Sequence, residues 1–326
     1  MDDKKIKEEI AQYWNTRGGV YDTQPGHGLK SAEEKTEWLK FLKSVVPADA
    51  KKILDVGGGT GFLTLLLAEL GYNVKSVDLS EGMQNDAKRK AIEGNLTDRI
   101  EFAIADAEKT GEPDNSFDVV VNRHLLWTLP HPSEAVDEWL RVVKPGGKVI
   151  VIDGDWKKHQ RELENMTEEE RELALQKQKE REEKMKEENQ SWYSDELKEN
   201  LPLNDGTRAP IEFLEKEGRQ LEILSLDGVE KAERDSLEKL GIDKEEAGHG
   251  MGRCAYVFTK AADCCDTDHT HIHSHEHTHA HEHADGTIHE HEHTHIHSHE
   301  HLHGDKDGCG SHTHTHSVDE LEGHEH

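Results

Sequence analysis

The sequence has no run of about 18 apolar residues, the length a bilayer-spanning helix requires, and no apolar core follows the charged start Met1-Asp2-Asp3-Lys4-Lys5. On this reading neither a membrane span nor a secretory leader is expected, and the chain reads as soluble and cytoplasmic, with no membrane partner. Cysteine occurs four times, at Cys254, Cys264, Cys265 and Cys309. All four are late, so no disulfide framework staples the body, and reduced thiols are expected. Basic residues are also in deficit: 40 Lys and Arg face 69 Asp and Glu, a formal charge of −29. Residues 261–326 hold fifteen acids against Lys306 alone, which is −14 and leaves −15 on the body. A phosphate backbone is bound by clustered Lys and Arg, so nucleic acid is excluded as a partner.

What the chain has is a glycine-rich turn, Ile53-Leu54-Asp55-Val56-Gly57-Gly58-Gly59-Thr60-Gly61, running into Phe62-Leu63-Thr64-Leu65-Leu66-Leu67-Ala68-Glu69-Leu70. Leu63, Leu66, Leu67 and Leu70 keep i, i+3, i+4, i+7 spacing, and Gly71 suits a cap beyond them. The pattern reads as strand, tight turn and helix. Glycines at such a turn let a nucleotide-like ligand approach the backbone, with the helix N-terminus facing it. A dinucleotide fingerprint would place its third glycine where Phe62 stands, which disfavours a pyrophosphate.

Further strands follow. Residues 73–78 form the second and end on Asp78, 23 residues after Asp55. An acid there can accept both ribose hydroxyls, or serve as a turn or capping acid before Leu79-Ser80-Glu81-Gly82. Residues 100–104 alternate as a strand and lead to Asp106-Ala107-Glu108. Val119-Val120-Val121 suits a buried parallel strand. It closes on Asn122-Arg123-His124-Leu125-Leu126-Trp127, at the carboxyl end, where open α/β sheets bind ligands. A helix with Val136, Trp139, Leu140 and Val143 inward follows Pro132-Ser133. The turn Lys144-Pro145-Gly146-Gly147 then precedes a fifth strand at 148–153.

In this order the motifs resemble the class I S-adenosylmethionine-dependent methyltransferases, and among them the small-molecule enzymes of ubiquinone and menaquinone type, over residues 6–260. The resemblance implies an α/β, Rossmann-like, seven-stranded, mostly parallel sheet with helices on both faces. Its last two strands, 220–226 and 254–259, would form an antiparallel edge hairpin after a helix at 211–217. The implied cofactor is S-adenosylmethionine, held by Asp55, Gly57, Gly59, Gly61, Asp78, Asp106, Ala107 and Asn122, with Asp106 beside the adenine amino group. The implied partner is a small-molecule methyl acceptor. Nucleic-acid amino methyltransferases carry an Asn or Asp, two prolines and an aromatic where this chain has Asn122-Arg123-His124.

Residues 1–50 are expected as a helical cap. Ile6, Ile10 and Trp14 form one stripe over 4–14, and a second helix at 32–45 buries Trp38, Leu39, Leu42 and Val46. Tyr13-Trp14 and Tyr21-Asp22 resemble the segment that folds over cofactor and substrate in this family. Tyr21 and Trp127 are expected on the substrate side, and His124 and His27 as catalytic imidazoles able to take a proton near neutral pH. Each reads equally as a packing or surface residue. Within the core at 51–260, residues 159–200 form a helical insertion opened by a Thr167/Glu170 capping box, beyond which Trp192 and Tyr193 would approach the site.

From residue 261 the chain changes character, and 21 of its 26 histidines lie beyond Asp268. Thr270-His271-Ile272-His273-Ser274-His275-Glu276-His277 recurs 24 residues later from Thr294 to His301. Too few apolar residues are present to bury a core, so residues 261–326 are expected to be disordered without a ligand. Spacing of two puts neighbouring imidazoles on one side of an extended chain, where pairs can chelate an ion. The expected ligands are His271, His273, His275, His277, His279, His281, His283, His289, His291, His293, His295, His297, His299, His301 and His303, for divalent Zn, Ni, Co or Cu. Two function classes follow: methyl transfer in a metal-linked pathway, with metal-transport or homeostasis proteins as partners, or a non-enzymatic metal store or metallochaperone built on the same fold.

Overall fold

The computed structural model describes residues 2–24, 26–154, 166–174, 176, 193–203, 221–242 and 252–261, and the backbone of 270–282 and 288–300. Residues 1–262 make one compact unit and 263–326 a second. The first is built on a seven-stranded sheet: β1 (Lys52–Val56), β2 (Asn73–Asp78), β3 (Ile100–Ile104), β4 (Phe117–Arg123), β5 (Val143–Gly154), β6 (Leu221–Ser225) and β7 (Arg253–Thr259). Their spatial order is β3-β2-β1-β4-β5-β7-β6. Only β7 runs against its neighbours, pairing antiparallel with both β5 and β6. This is the expected α/β, Rossmann-like sheet.

Alternation along the strands divides the core into two layers. Leu54, Val120, Val149, Val151, Tyr256 and Phe258 join one cluster with Ala135, Val136 and Trp139 of α6 (Pro132–Val142). Ile53, Val119, Val121, Ile150, Ile152 and Val257 join the other. That layer is completed by Trp38 and Leu42 of α3 (Ala32–Val45) and Leu63, Leu66 and Leu67 of α4 (Phe62–Glu69). Strands buried on both faces explain the unbroken valine run in β4.

The N-terminal segment supplies α1 (Asp3–Asn15), capped by the Asp2 side chain, and the short α2 (Gly18–Tyr21). α5 (Glu81–Glu93) follows β2. The expected Thr167/Glu170 box is present: the Glu170 carboxylate accepts from the Thr167 N–H at 2.9 Å, and Thr167 Oγ1 accepts from the Glu170 N–H at 3.3 Å. Most of the insertion, Trp192 and the helix expected at 211–217 lie outside the described residues. Near the end of the insertion, α7 (Asp195–Lys198) buries Leu197.

Three features differ from the sequence reading. Residues 144–147 do not end a strand: β5 already pairs through Val143 with Phe117, and the ladder resumes at Lys148 after a register shift, so the glycine turn is an irregularity inside it. A further helix, α8 (Asp227–Lys239), was not expected, because its buried stripe of Val229, Ala232, Glu233, Ser236 and Leu237 is largely small or polar. Glu233 is tolerated there because Arg253 pairs with it at 2.8 Å. In the second unit, where disorder was expected, β8 (Thr270–Glu282) and β9 (Ile288–Glu300) pair antiparallel. Strict alternation with interspersed Thr and Ile is itself strand patterning, and Asp285-Gly286 between the runs is turn chemistry.

Candidate active site

Parallel strands present their carboxyl ends to one edge of the sheet, and there a crevice opens to solvent. Its floor is the turn after β1. Gly57, Gly59 and Gly61 hold positive φ of 65°, 55° and 85°, which side chains other than glycine resist. A Cβ on Gly58 would lie 2.1 Å from Ser76 Oγ. The turn therefore offers backbone to a ligand.

Three acids expected at the site line this crevice, one from the end of each of β1, β2 and the segment after β3. Asp55 is buried and accepts from the Thr64 hydroxyl at 2.5 Å, yet desolvation prevails and pushes its pKa up to about 7. Asp78 accepts from the Gly59 N–H at 2.8 Å and the Ser80 N–H at 2.7 Å, so it braces the glycine turn; burial still raises it to about 6. Asp106 accepts from the Glu108 N–H at 2.9 Å and pairs with Lys7 Nζ at 2.6 Å. Lys7 reaches Glu108 as well, at 2.5 Å; burial opposes its charge, but the two carboxylates hold its pKa above the ordinary lysine value.

The cap closes the crevice from above. Lys7, Ile10, Ala11, Trp14 and Tyr21 all line it. Asn15 Oδ1 accepts from the Gly82 N–H at 2.9 Å and from Ser80 Oγ at 3.0 Å, tying the end of α1 to the start of α5. Asp22 accepts from Thr60 Oγ1 at 2.6 Å and pairs with Lys90. Arg123, at the end of β4, donates to the carbonyls of Gly26 and His27 and lies 3.9 Å over the Phe62 ring. Burial lowers its pKa to about 10.

Trp14 and Tyr21, which line the crevice, belong to an aromatic cluster. Trp14 Nε1 donates to the Tyr193 hydroxyl at 2.7 Å, and Tyr193 packs edge-on to Tyr13 and against Trp127, with ring centroids 4.9 and 5.7 Å apart. Burial raises the pKa of Tyr193, and that of Tyr21 to about 12, so both stay neutral donors. His124 lines the crevice in a left-handed conformation, φ 54°, unusual for a residue with a side chain. Its amide donates to Ile152 O at 3.0 Å.

Of the residues singled out from sequence, Asp55, Gly57, Gly59, Asp78, Asp106, Ala107, Tyr21 and His124 line one crevice. Gly61 stands behind the wall as the N-cap of α4, near Ala87. His27 is one layer back, its ring 4.4 Å from Tyr21 and 6.0 Å from His124. Trp127 joins the aromatic cluster rather than the wall itself. Asn122 is fully buried within β4, opposite Val151, and neither of its amide atoms has a hydrogen-bond partner among the described residues. The next two residues, Arg123 and His124, form the wall instead. Sequence reasoning missed Lys7 and Arg123. Lys7, Ala11 and Trp14 stand at i, i+4, i+7 beside the apolar stripe of α1, which was the available signal; Arg123 offered none.

Among the residues whose side chains are described, no group of three or more His, Cys, Asp or Glu is arranged to hold a metal, and no described helix is long and apolar enough to cross a membrane. Residues 54–151 match a family model described as a methyltransferase domain. A demethylmenaquinone methyltransferase of Clavibacter sepedonicus is 38% identical over 111 residues, 34% of this chain and 44% of its own length. A ubiquinone/menaquinone biosynthesis C-methyltransferase of Pseudomonas fluorescens is 31% identical over 150 residues, 45% of this chain and 58% of its own. The chain thus spans about half the length of the curated relatives it matches. A solved structure of phosphoethanolamine N-methyltransferase 1 of Haemonchus contortus, with phosphoethanolamine and S-adenosylhomocysteine, is 14% identical, covers 82% of this chain and 51% of its own, and has a TM-score of 0.48.

Proposed function

We propose that this chain transfers a methyl group from S-adenosylmethionine to a small-molecule acceptor; the curated relatives it matches are methyltransferases by name. The observation that carries the reading is the convergence of Asp55, Asp78 and Asp106 on one glycine-floored crevice. The residues fit the cofactor on structural grounds, since backbone rather than side chains forms the floor beside Asp55 and Asp78. Asp78 would accept the ribose hydroxyls with the lone pairs that Gly59 and Ser80 leave unused. Asp106 and Ala107 would meet the adenine edge, and Asp55 would face the cationic amino-acid end.

When bound, S-adenosylmethionine supplies a methyl group already activated by its sulfonium. The protein then has to align the acceptor and exclude water, which together are worth up to about 7–11 kcal/mol in well-oriented reactions. Trp14 and Tyr21 cover part of the crevice, Tyr193 braces Trp14, and the cap latches at Asn15 and Asp22 hold them in place. His124, with its ring at the wall, takes a proton from an N, O or S nucleophile where the acceptor has one to lose. Aromatic walls suit a flat or apolar acceptor. Calorimetry tests the reading: one equivalent of S-adenosylmethionine bound per chain is expected, and no binding by the folded protein overturns it.

The histidine alternation of the second unit supports a further element of the proposal, divalent transition-metal binding by the tail. On this reading the enzyme works in the cytoplasm in a metal-linked pathway, beside metal-transport or homeostasis proteins. The competing class, a metal store without catalysis, predicts metal binding with no affinity for S-adenosylmethionine.

A further inference from the structure

The register of the second unit carries a sharper statement about the tail. In the β8–β9 ladder His271 faces His299, His273 faces His297, His275 faces His295, His277 faces His293, His279 faces His291 and His281 faces His289. All twelve occupy odd positions, and directly opposed residues of an antiparallel pair share a face. One face of the hairpin is thus six consecutive histidine pairs, and the other carries Thr, Ile, Ser, Ala and Glu. The repeat of 24 residues, an even number, preserves this parity between the two strands.

We propose that this face is a ladder of cross-strand transition-metal sites, each made by two neighbouring histidine pairs, with room for three ions. The inference rests on the metal reading of the tail given above and specifies its architecture. Opposed positions lie about 4.5–5.5 Å apart and positions two along a strand about 6.6–6.8 Å. Two adjacent pairs therefore place four histidine positions close together on one face, and a structural zinc ion takes four ligands. Neutral imidazole is the ligand chemistry of Zn²⁺ and its neighbours in the first transition row.

A second observation points the same way. β8 and β9 form a two-stranded sheet of their own, separate from the seven-stranded one. An isolated two-stranded hairpin is marginal in water, and these strands have little apolar content to stabilise it. An ion that binds only when the strands are in register stabilises that register by mass action. Below about pH 6.5 the imidazoles protonate, which releases the ions and places like charges opposite one another.

Two variants of the full chain with equal histidine counts test the proposal, with Zn²⁺ as probe in equilibrium dialysis above pH 7. Replacing His271, His273, His297 and His299 with Gln removes two whole pairs and leaves four consecutive pairs. Replacing His291, His293, His295 and His297 with Gln depletes one strand and leaves only the two terminal, non-adjacent pairs. The wild-type chain is expected to bind three tight ions, the first variant two at unchanged affinity, and the second none within tenfold of wild-type affinity. Equal binding by the two variants overturns the cross-strand architecture while leaving chelation along single strands intact. A wild-type chain that binds no Zn²⁺ overturns the metal reading together with the ladder. Neither variant touches residues 1–262, so S-adenosylmethionine affinity serves as the control for folding.

Discussion

The crevice and the histidine hairpin are built in opposite ways. The crevice collects Lys7, Tyr21, Asp55, Asp78, Asp106 and His124, spread over more than a hundred residues and gathered by a seven-stranded sheet. The hairpin needs two neighbouring strands in one register. A site gathered from a distance inherits the stability of the whole core, whereas a site written into local alternation depends on parity alone. Variants that damage one should therefore spare the other.

The largest separation is expected from Trp139→Ala. Trp139 is fully buried, and its Nε1 donates to Ala107 O at 3.0 Å, so it joins α6 to the Ala107 wall of the crevice. Loss of about 3–5 kcal/mol is expected in denaturant unfolding, with S-adenosylmethionine affinity falling and Zn²⁺ stoichiometry unchanged. Asp78→Ala comes next. It removes the proposed acceptor for the ribose and the brace of the Gly59 turn, and about 100-fold weaker cofactor binding by calorimetry is expected. Asp78→Asn, which keeps the shape, should recover part of that loss.

His124→Ala is expected to lower kcat about 100-fold with little change in cofactor affinity. Unchanged turnover removes His124 from proton transfer. Gly82→Ala probes the cap without touching the crevice wall. A Cβ there would stand 2.2 Å from Asn15 O, so the end of α1 must shift, at about 1–3 kcal/mol. Acceptor KM should rise several-fold, more than cofactor Kd does, because the cap contributes the roof.

A pH dependence separates stability from cofactor affinity by its sign. The folded pKa of Asp55, about 7, stands above its ordinary 3.8, as does that of Asp78, at about 6. The stability these groups contribute is fully present below about pH 4 and is lost as pH rises toward 7. Cofactor binding needs the ionised carboxylates, so affinity should change the other way, weakening up to about tenfold from pH 8 to pH 6. Asp55→Asn should flatten both profiles. Zn²⁺ affinity should also fall with acid, but through imidazole protonation, and Asp55→Asn should leave that curve in place.

Much of the crevice was legible because its residues sit at the ends of strands. Asp78 and Asp106 each close a stretch of strand patterning, and the carboxyl edge of an open sheet is where such residues meet. Lys7 was not legible: a lysine on an exposed-looking helix face becomes a wall residue only because α1 lies across Asp106 and Glu108. Arg123 ends a run of valines like any solvent-facing cation, yet it is buried against Phe62 and holds the 22–28 loop. Asn122 shows the converse, since its place in the motif suggested a ligand contact, whereas strand pairing with Val151 leaves it inside the sheet.

Periodicity along the chain was enough to specify the seven strands of the main sheet, the glycine turn and the odd-numbered histidines, because these depend on spacing between near neighbours. Folding in three dimensions decided which charges are buried, which aromatic rings roof the crevice and which histidine faces which. Those outcomes depend on desolvation and strand register, and both arise only when distant segments pack.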